Sequence, residues 1–572
     1  MSSQPVLEDL IAAGRGEIPA DLVLVGGRVV DVFSGEILEA SVAVHQGQVV
    51  GLGDYRGHET VDLQGRYLAP GLLDGHMHLE SSMVIPTQFA RAVVPHGTTT
   101  VVVDPHEIAN VLGTLGVEFI LGANGLTPLE IYAVVPSCVP ATEMETSGAR
   151  LTADDVARLL QRQGVLGLGE MMDFPAVLGR DPATLAKLRA SRGRPIDGHC
   201  PRLTGRDLCA YIAAGPRSDH ESTSADEARE KLRLGMYVML REGSVTRDVQ
   251  ALLPVVSAFT LRRCLFVTDD REPVDLLGEG HIDFAVRKAV RLGLDPVWAL
   301  TMASLNTAQY FGLRHLGAVA PGYQADLIVL DNLQDLHVEM VFKAGRLVAR
   351  QGRALWDDVP MDTSAVTDTV RLAPLDAQAL RLGGSGGSAH VIGVLPNQIL
   401  TRHQRVEVVA RNGVVAADPE RDLLKLAVVE RHHASGRVGL GLVSGFGMKR
   451  GALASTVAHD SHNLIIVGAS DEDMLHAAEE IRRLQGGLVA VAGGRVLAEL
   501  PLPVAGLMSD RPLTEVRDAM ERLFRAARDL GCTTPSPYMA LSFLALPVIP
   551  ALKLTDQGLV DVERFQKIPL FD

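Results

Sequence analysis

The sequence lacks the features of several classes of protein. Its five cysteines are odd in number and form no CxxC pair, which argues against a disulfide framework and for a reducing, cytoplasmic location. No apolar segment opens the chain, and no apolar run reaches the ~20 residues of a membrane span, so we expect no membrane association. A formal net charge of −15 argues against nucleic-acid binding, which needs a basic surface.

Aromatic residues are also scarce, at 4%, yet hydrophobic residues make up 47% of the 572 residues and suffice for a large core. A chain of this length divides into two or three compact units. Short β segments at residues 21–68 return at 325–348, beyond a long middle section. We therefore predict one small β-sandwich domain built from both flanks, residues 1–70 and 316–356.

The middle section alternates short apolar runs with helical stretches. For example, Ala153–Gln163 has helical apolar spacing, and Thr152 precedes it as a predicted N-cap. Repeated β-then-α units favour parallel strands, and eight units favour a closed (β/α)8 barrel over residues 71–315, with a doubly wound open sheet as the alternative. The predicted strands are 71–78, 98–104, 130–136, 165–170, 195–200, 217–220, 236–241 and 264–269.

The chain after the β segments has a different composition. Residues 357–388 are looser and end in the glycine-rich run Gly383–Ser388, so we predict a linker there. Residues 389–572 are predicted to form a C-terminal α+β domain with a helix over Asp471–Gln485. The predicted fold class is thus α/β, a (β/α)8 barrel with a small β-sandwich domain and a C-terminal α+β domain.

Polar residues follow several predicted barrel strands where these end, and the active sites of such barrels lie on that face. An HxH motif alone is a weak signal, although residues two apart on a strand face the same side. Five strand ends carry such residues together, which favours a metal site over isolated capping residues. The candidate ligands are His76, His78, Glu170, His199, His220 and Asp269.

Four imidazoles and two carboxylates suit two divalent cations, which Glu170 would bridge. A paired site lowers the pKa of a bridging water and so provides hydroxide near neutral pH. Asp269 would accept the proton of this hydroxide and pass it to the leaving group. Because carboxylates favour harder ions, Mn²⁺ is the first expectation, and Fe²⁺ and Zn²⁺ are the alternatives.

Two further groups of polar residues allow more than one interpretation. Asp104, His106 and Glu107 follow the second strand on the same barrel face, where a plain turn after a strand is the competing explanation. Arg241 and Glu242 follow the seventh strand, and they either bind a substrate or form an ion pair at the rim.

Several motifs together resemble the amidohydrolase superfamily and, within it, the adenine deaminases. They lie at residues 70–82 (PGLLDGHMHLESS), 97–107 (GTTTVVVDPHE), 197–201, 218–221, 268–270 and 320–326. The resemblance continues through 439–455 and 457–463, in the predicted C-terminal domain. HxH is shared by many hydrolases, whereas the long C-terminal match is specific to the adenine deaminases.

The resemblance implies that the same six residues are the metal ligands and that they bind two divalent ions per subunit. Glu170 stands where many members of the superfamily have a carboxylated lysine, which agrees with the adenine deaminases. The implied reaction, in purine salvage, is adenine plus water giving hypoxanthine plus ammonia, with hydroxide adding to C6 while a ring nitrogen is protonated. The candidate acids for that proton are Glu221, His106 and Glu107. The candidates for substrate binding are Ser82, Asp104, His459, Asp460 and His462.

Two alternatives compete with this interpretation. One is another amidohydrolase, such as an N-acetylated sugar deacetylase or a cyclic amide hydrolase, which would not require residues 389–572. The other is a catalytically inactive scaffold on the same fold, which would typically lack metal ligands. A different class of deaminase, which carries a PCxxC zinc signature, is excluded because the chain contains no such motif. The expected partner is a small purine base, and we expect a homo-oligomer, a dimer or a tetramer.

Overall fold

The structure is a computed structural model that describes residues 6–395 and 398–571. Its centre is a set of parallel strands, paired in one group of five and one group of three. The Arg217 amide donates to the Ile196 carbonyl at 3.0 Å and joins the groups on one side, and the His78 amide donates to the Asp269 carbonyl at 3.1 Å on the other. The barrel is therefore closed, which confirms the predicted (β/α)8 fold. Its strands are Leu72–Met77, Thr98–Val103, Glu130–Val135, Val165–Met171, Ile196–Gly198, Ser218–Asp219, Tyr237–Arg241 and Cys264–Val267.

Each predicted barrel strand coincides with an observed one and differs from it only at the ends. Strands of a parallel barrel are buried on both faces and read as apolar runs, which explains why the sequence located them. The helices that follow the strands cover the barrel from outside. They are Pro86–Val93, His106–Leu112, Thr114–Leu121, Ala153–Leu159, Phe174–Gly179, Pro182–Ala190, Gly205–Ala214, Ala225–Arg233, Val249–Leu252, Pro273–Gly278, Ile282–Arg291, Pro296–Met302 and Leu305–Phe311.

The N-cap predicted at Thr152 is present. The Thr152 hydroxyl accepts the Asp155 amide, and the Asp155 carboxylate accepts the Thr152 amide at 2.9 Å, so the two form a capping box. The helix ends at Leu159 rather than Gln163 because the next residues form short turns that lead into Gly164, which has a φ of 86°.

Two small β-sheets flank the barrel, and the larger one is built from both flanks, as predicted. In the seven-stranded sheet, Tyr67–Pro70 pairs antiparallel with Leu327–Leu330, so a strand from before the barrel lies beside one from after it. The strands of this sheet are Arg28–Val30, Ile37–Glu39, Tyr67–Pro70, Leu327–Leu330, Val338–Lys343, Arg346–Arg350 and Arg353–Ala354. The four-stranded sheet comprises Ala20–Val25, Val42–His45, Gln48–Leu52 and Gly57–Asp62, and helix Leu7–Gly14 packs beside it.

The C-terminal region is an α+β unit around an eight-stranded sheet. The helix predicted over Asp471–Gln485 spans Asp471–Leu484, and Gln485 adopts a left-handed conformation that ends it. The other helices here are Leu513–Asp529 and Pro537–Ser542. The eight-stranded sheet comprises Gly387–Val394, Thr401–Val408, Leu424–Val429, Val438–Ser444, Ala452–Ser455, Leu464–Gly468, Gly487–Ala492 and Arg495–Pro501. One three-stranded sheet comprises Leu382–Gly383, Ala410–Arg411 and Val414–Val415. Another comprises Leu552–Thr555, Gly558–Asp561 and Gln566–Ile568.

The glycine-rich run predicted to be linker is partly strand. Leu382–Gly383 and the start of Gly387–Val394 fall inside residues 357–388, because backbone pairing with Val415 and Val408 orders the glycines. The predicted domain limits themselves stay predictions. Among the residues described, no helix is long and apolar enough to cross a membrane.

The C-terminal unit packs directly on the barrel. The Ile85 amide donates to the Ser509 carbonyl at 3.0 Å, and the Ser509 amide donates to the Met83 carbonyl at 2.8 Å. One hydrophobic cluster contains both Phe89 of the barrel and Met508 of the C-terminal unit. This packing brings the loop at 456–463 to the carboxyl ends of the barrel strands.

Candidate metal centre and its surroundings

The six predicted metal ligands converge on the carboxylate of Glu170, which lies at the end of the fourth barrel strand. Glu170 Oε1 is 3.3 Å from His78 Nε2 and 3.7 Å from His76 Nε2. Glu170 Oε2 is 3.2 Å from His220 Nε2 and 2.5 Å from His199 Nδ1. Each oxygen therefore faces a different two of the four predicted imidazole ligands, the arrangement expected of a carboxylate that bridges two cations.

Asp269 completes one side of this cluster. Its Oδ1 lies 3.0 Å from His78 Nε2 and 3.7 Å from His76 Nε2. The residue has a φ of 58°, in the left-handed region that costs a non-glycine residue about 1 kcal/mol or more. The Asp269 amide donates to the His76 carbonyl at 3.0 Å and helps to hold this conformation.

The imidazoles present the nitrogens that a divalent ion requires. His78 Nδ1 lies 2.9 Å from the Asp104 carbonyl, which can only accept, so Nδ1 carries the proton and Nε2 has the lone pair that faces the carboxylates. His76 Nε2 is buried and has no hydrogen-bond partner among the described residues. Since an orphaned buried nitrogen is costly, these residues fit a metal site.

Asp104 acts on the metal centre through the backbone. Its Oδ2 accepts the amide of Glu170 at 2.9 Å, while its carbonyl orients His78. A Cβ on Gly169 would lie 2.1 Å from Asp104 Oδ2, so the close approach requires glycine there. These contacts explain why an aspartate follows the second strand, and the predicted role of Asp104 in substrate binding stays a prediction.

A buried hydrogen-bond network around Asp74 of the first strand was not predicted from the sequence. Asp74 Oδ1 accepts the amides of His76 and Thr268, both at 3.2 Å, so one carboxylate joins the first strand to the eighth. Burial raises the pKa of Asp74 to about 7. His281 lies 3.2 Å from Asp74 Oδ2 and 2.9 Å from the Thr98 hydroxyl, and burial lowers its pKa to about 3, so it is neutral. The DGHMH spacing was the available signal for Asp74.

Arg241 forms the ion pair that was one of its two predicted roles. Its guanidinium is buried and contacts three carboxylates: Nη1 donates to Asp269 Oδ2 at 2.9 Å and to Glu221, and Nη2 donates to Asp248 Oδ2 at 3.1 Å. Arg241 is thus an ion-pair partner of a metal-centre residue, and because it also lines the cavity described below, its role in substrate binding stays a prediction. Its neighbour Glu242 turns away and accepts Lys288 Nζ at 2.6 Å.

A second buried cluster forms where the C-terminal loop meets the barrel. Glu107 accepts His459 Nδ1 at 2.5 Å on Oε1 and His462 Nε2 on Oε2. His106 lies between the clusters, with Nε2 3.3 Å from Glu107 Oε1 and Nδ1 3.5 Å from Glu170 Oε1. Asp460 Oδ1 is 3.9 Å from His106 Nε2, and burial raises the pKa of Asp460 to about 6. Five predicted site residues of two domains are thereby brought together.

Three residues around the centre make contacts that the sequence did not predict. The Ser82 hydroxyl donates to the Leu79 carbonyl at 2.6 Å within its own turn, so its contact closes a turn and the predicted substrate role stays untested. Glu80, which was not singled out, is buried, and its Oε1 accepts the Ile108 amide at 2.9 Å. Lys187 is the lysine nearest to Glu170 in the sequence. Its Nζ donates to the Ser137 carbonyl at 2.6 Å.

A cavity of about 480 Å³ opens onto the metal centre. Its wall includes His199, Glu221 and Arg241 on the side of the centre. Apolar side chains from both domains line the outer part, among them Phe174 of the barrel and Ile549 of the C-terminal unit. The wall is mostly apolar with polar groups interspersed, which suits a small molecule that has both apolar and polar surface.

Comparison with known proteins identifies the family. The model of the amidohydrolase family matches residues 67–348, and that of the adenine deaminase C-terminal domain matches residues 398–566. The chain is 51% identical to adenine deaminase 2 of Carboxydothermus hydrogenoformans and 50% identical to adenine deaminase of Dehalococcoides mccartyi, in each case over 99% of both chains. The chain belongs to the adenine deaminase family. Among solved structures, an enamidase of the amidohydrolase superfamily aligns with a TM-score of 0.44 at 16% identity, over 58% of this chain and 96% of its own.

Membership confirms the resemblance noted in the sequence and, through the amidohydrolase family, implies a divalent metal. Two of the described clusters that could hold one are His76, His78 and Asp269, and His76, Glu170 and His220. Adenine deaminases act by hydrolysis, so this member of the family is an enzyme of the hydrolase class.

Proposed function

We propose that the protein hydrolyses adenine to hypoxanthine and ammonia with two divalent ions per chain, and that Mn²⁺ is the preferred ion. The observation that carries this proposal is the Glu170 carboxylate, whose Oε1 faces His76 and His78 and whose Oε2 faces His199 and His220. His76, His78 and Asp269 would hold one ion, and His199 and His220 the other, with Glu170 between them. Ions bound there would lower the pKa of a water and so supply a nucleophile near neutral pH.

The remaining chemistry is assigned to side chains of the chain itself. Asp269 would carry the proton of the attacking water to the leaving amine, because its Oδ1 faces the imidazoles of the centre. Arg241 holds the other oxygen at 2.9 Å, so Asp269 keeps one orientation throughout. The apolar cavity wall would stack against the purine and exclude water from the base.

Among the candidate acids, we assign the ring proton to Glu221. Its carboxylate lines the cavity with His199, and Oε1 accepts an Arg241 N–H, so Oε2 would take one proton of the attacking water and deliver it to the ring nitrogen. Glu107 is a weaker candidate because both of its oxygens already accept imidazole N–H groups. Protonation of a ring nitrogen makes addition to C6 of adenine easier, so a Glu221→Gln variant should lose turnover more than substrate binding.

The alternatives have less support. A sugar deacetylase or cyclic amide hydrolase does not need the C-terminal domain, which matches the adenine deaminases over residues 398–566. An inactive scaffold does not need a complete ligand set, whereas all six predicted ligands converge here. The homo-oligomeric state, the cytoplasmic location and the choice among Mn²⁺, Fe²⁺ and Zn²⁺ stay predictions.

One experiment tests the proposal directly. Purified protein is stripped of metal, reloaded with Mn²⁺, and assayed for ammonia release from adenine, with adenosine as the control substrate. We expect release from adenine at about two Mn²⁺ per chain, and loss of both activity and one ion in Glu170→Gln. Activity on adenosine alone, or full activity at one ion per chain, would contradict the assignment.

A further inference from the structure

His220, one of the two imidazoles proposed to hold the second ion, lacks the support that orients His78. His78 Nδ1 lies 2.9 Å from the Asp104 carbonyl, whereas His220 Nδ1 is buried and has no hydrogen-bond partner among the described residues. A metal-binding imidazole is normally oriented by a hydrogen bond at its other ring nitrogen. The direction of the His220 side chain therefore depends on how firmly its backbone is held.

The buried carboxylate of Asp219, which precedes His220, holds two loops at once. Its Oδ1 accepts the amide of Cys200 at 3.0 Å, directly after His199. Its Oδ2 accepts the amide of Ser222 at 2.9 Å and the hydroxyl of the same residue at 2.7 Å. One side chain thus fixes the backbone beside both imidazoles proposed for the second ion.

Lys231 joins the two loops from the helix Ala225–Arg233. Its side chain is fully buried, and its ammonium has three donors that can turn towards different acceptors. Four oxygens lie within hydrogen-bond distance of Nζ: the Cys200 carbonyl at 2.9 Å, Asp219 Oδ2 at 2.8 Å, Ser222 Oγ at 3.1 Å and Glu227 Oε1 at 2.8 Å. The loop after the fifth strand and the loop after the sixth strand are therefore tied to one cation.

We propose that Lys231 and Asp219 are positioning residues for the second ion. They fix the two loops relative to each other and so direct His199 and His220 at the same oxygen of Glu170. That oxygen, Oε2, lies 2.5 Å from His199 Nδ1 and 3.2 Å from His220 Nε2. This inference rests on the proposed function, because it concerns the second of the two ions proposed there.

The network reaches only one half of the metal centre. The first and eighth strands, which carry the imidazoles and the aspartate proposed for the first ion, are joined by Asp74 through the amides of His76 and Thr268. The contacts of Lys231 lie after the fifth and sixth strands and within its own helix. Loss of Lys231 should therefore weaken the second ion selectively, whereas a general loss of structure would weaken both ions.

Lys231→Met tests this separation, because methionine keeps an apolar stem and removes the N–H donors. Metal-free protein is titrated with Mn²⁺, and the bound ions per chain are counted at each concentration. We expect the affinity for the second ion to fall about 10–100-fold in K231M, and that for the first ion by less than about threefold. Lys425→Met is the matched control, since Lys425 is also buried but contacts Asp471 and the Leu380 carbonyl in the C-terminal unit. It should leave both affinities within about threefold of the wild type.

A double-mutant cycle identifies the ion that is affected. His199→Ala removes a proposed ligand of the second ion, so we expect one ion per chain in that variant. Lys231→Met in the same background should change the affinity for the remaining ion by less than about twofold. The melting temperature is recorded for every variant, and it should fall in both K231M and K425M because each loses a buried hydrogen-bonding group.

Ser222→Ala provides the same measurement if K231M does not fold. It removes one hydroxyl from the network and should weaken the second ion about threefold or more, again without a similar effect on the first.

Four results would overturn the inference: an unchanged affinity for the second ion in K231M and S222A, an equal fall for both ions, a fall in K425M as large as that in K231M, or a further loss of affinity in the His199→Ala background. Failure of the proposed function has a separate readout, because the wild-type enzyme loaded with two ions would then release no ammonia from adenine. A wild type that binds a single ion would contradict both.

Discussion

Gly169→Ala is the substitution whose effect the structure defines most sharply. The new Cβ would lie 2.1 Å from Asp104 Oδ2 and 2.7 Å from Asp104 Cγ, far inside contact distance. Asp104 has to move, and the hydrogen bond from the Glu170 amide to Oδ2 breaks with it. The substitution acts on the metal centre although it changes no ligand.

The size of the effect follows from two contributions. Overpacking of a filled interior costs about 1–3 kcal/mol. Loss of a buried hydrogen bond to a charged group costs about 1.5–3 kcal/mol more. For a barrel of this size we expect the melting temperature to fall by roughly 5–20 °C. Displacement of a group that orients ligands typically lowers metal affinity or activity about 10–100-fold.

Gly179→Ala is the matched control, because a Cβ there meets nothing within 4 Å. It should change stability by no more than about 0.5 kcal/mol. The assay combines thermal unfolding, bound Mn²⁺ per chain and ammonia release from adenine for both variants and the wild type. Wild-type values of all three in Gly169→Ala would refute the argument that Asp104 positions Glu170.

Three further predictions follow from named contacts. Chelation of the bound metal should lower the melting temperature, and two equivalents of Mn²⁺ should restore it, because ions at 100 times their Kd stabilise the fold by about 2.7 kcal/mol; an unchanged melting curve would contradict a metal centre. Arg241→Lys should lower kcat/KM about 10–100-fold, since one ammonium cannot hold Asp269, Glu221 and Asp248 together; equal kinetics would show that orientation of Asp269 is unimportant. Burial would raise the pKa of Glu130, but the neighbouring Lys343 outweighs burial and lowers this pKa to about 2. The pair therefore contributes stability above pH ~4.5 that is lost as the pH falls towards 2. Glu130→Gln should therefore be less stable than the wild type at pH 7, by about 1–3 kcal/mol after allowance for solvent, and the difference should vanish in melts at low pH.

The barrel and its ligands could be predicted because their signals are local. A strand buried on both faces is an apolar run, and the residue that ends it has to face the mouth of the barrel. His76, Glu170 and Asp269 could thus be grouped before any contact was known. The ends of the strands were less well placed, since Ser218–Asp219 pairs with its neighbour over two residues only.

Residues that support the ligands could not be predicted in the same way. The partners of Arg241 in its ion pairs, Asp269 and Glu221, were not visible in the sequence. Asp74 and His281 lie 207 positions apart in the chain, and only the closed barrel brings them to 3.2 Å. Apart from Asp74, which lies in the DGHMH motif, such groups have no pattern of their own, because a single buried polar side chain reads in sequence like an exposed one.

The loop at 456–463 shows most clearly why sequence patterns stop short of the site. His459 and His462 are 352 and 355 residues from Glu107, and each contact closes across the interface of two domains. Their spacing suits either a metal site or a hydrogen-bonded turn, so the motif alone leaves both open. The decision comes from one backbone amide: Ala458 donates to His462 Nδ1, which places the proton on Nε2 and directs it to Glu107. Since that proton, rather than the residue type, determines what the cluster can do, only a structure that contains both domains reveals its chemistry.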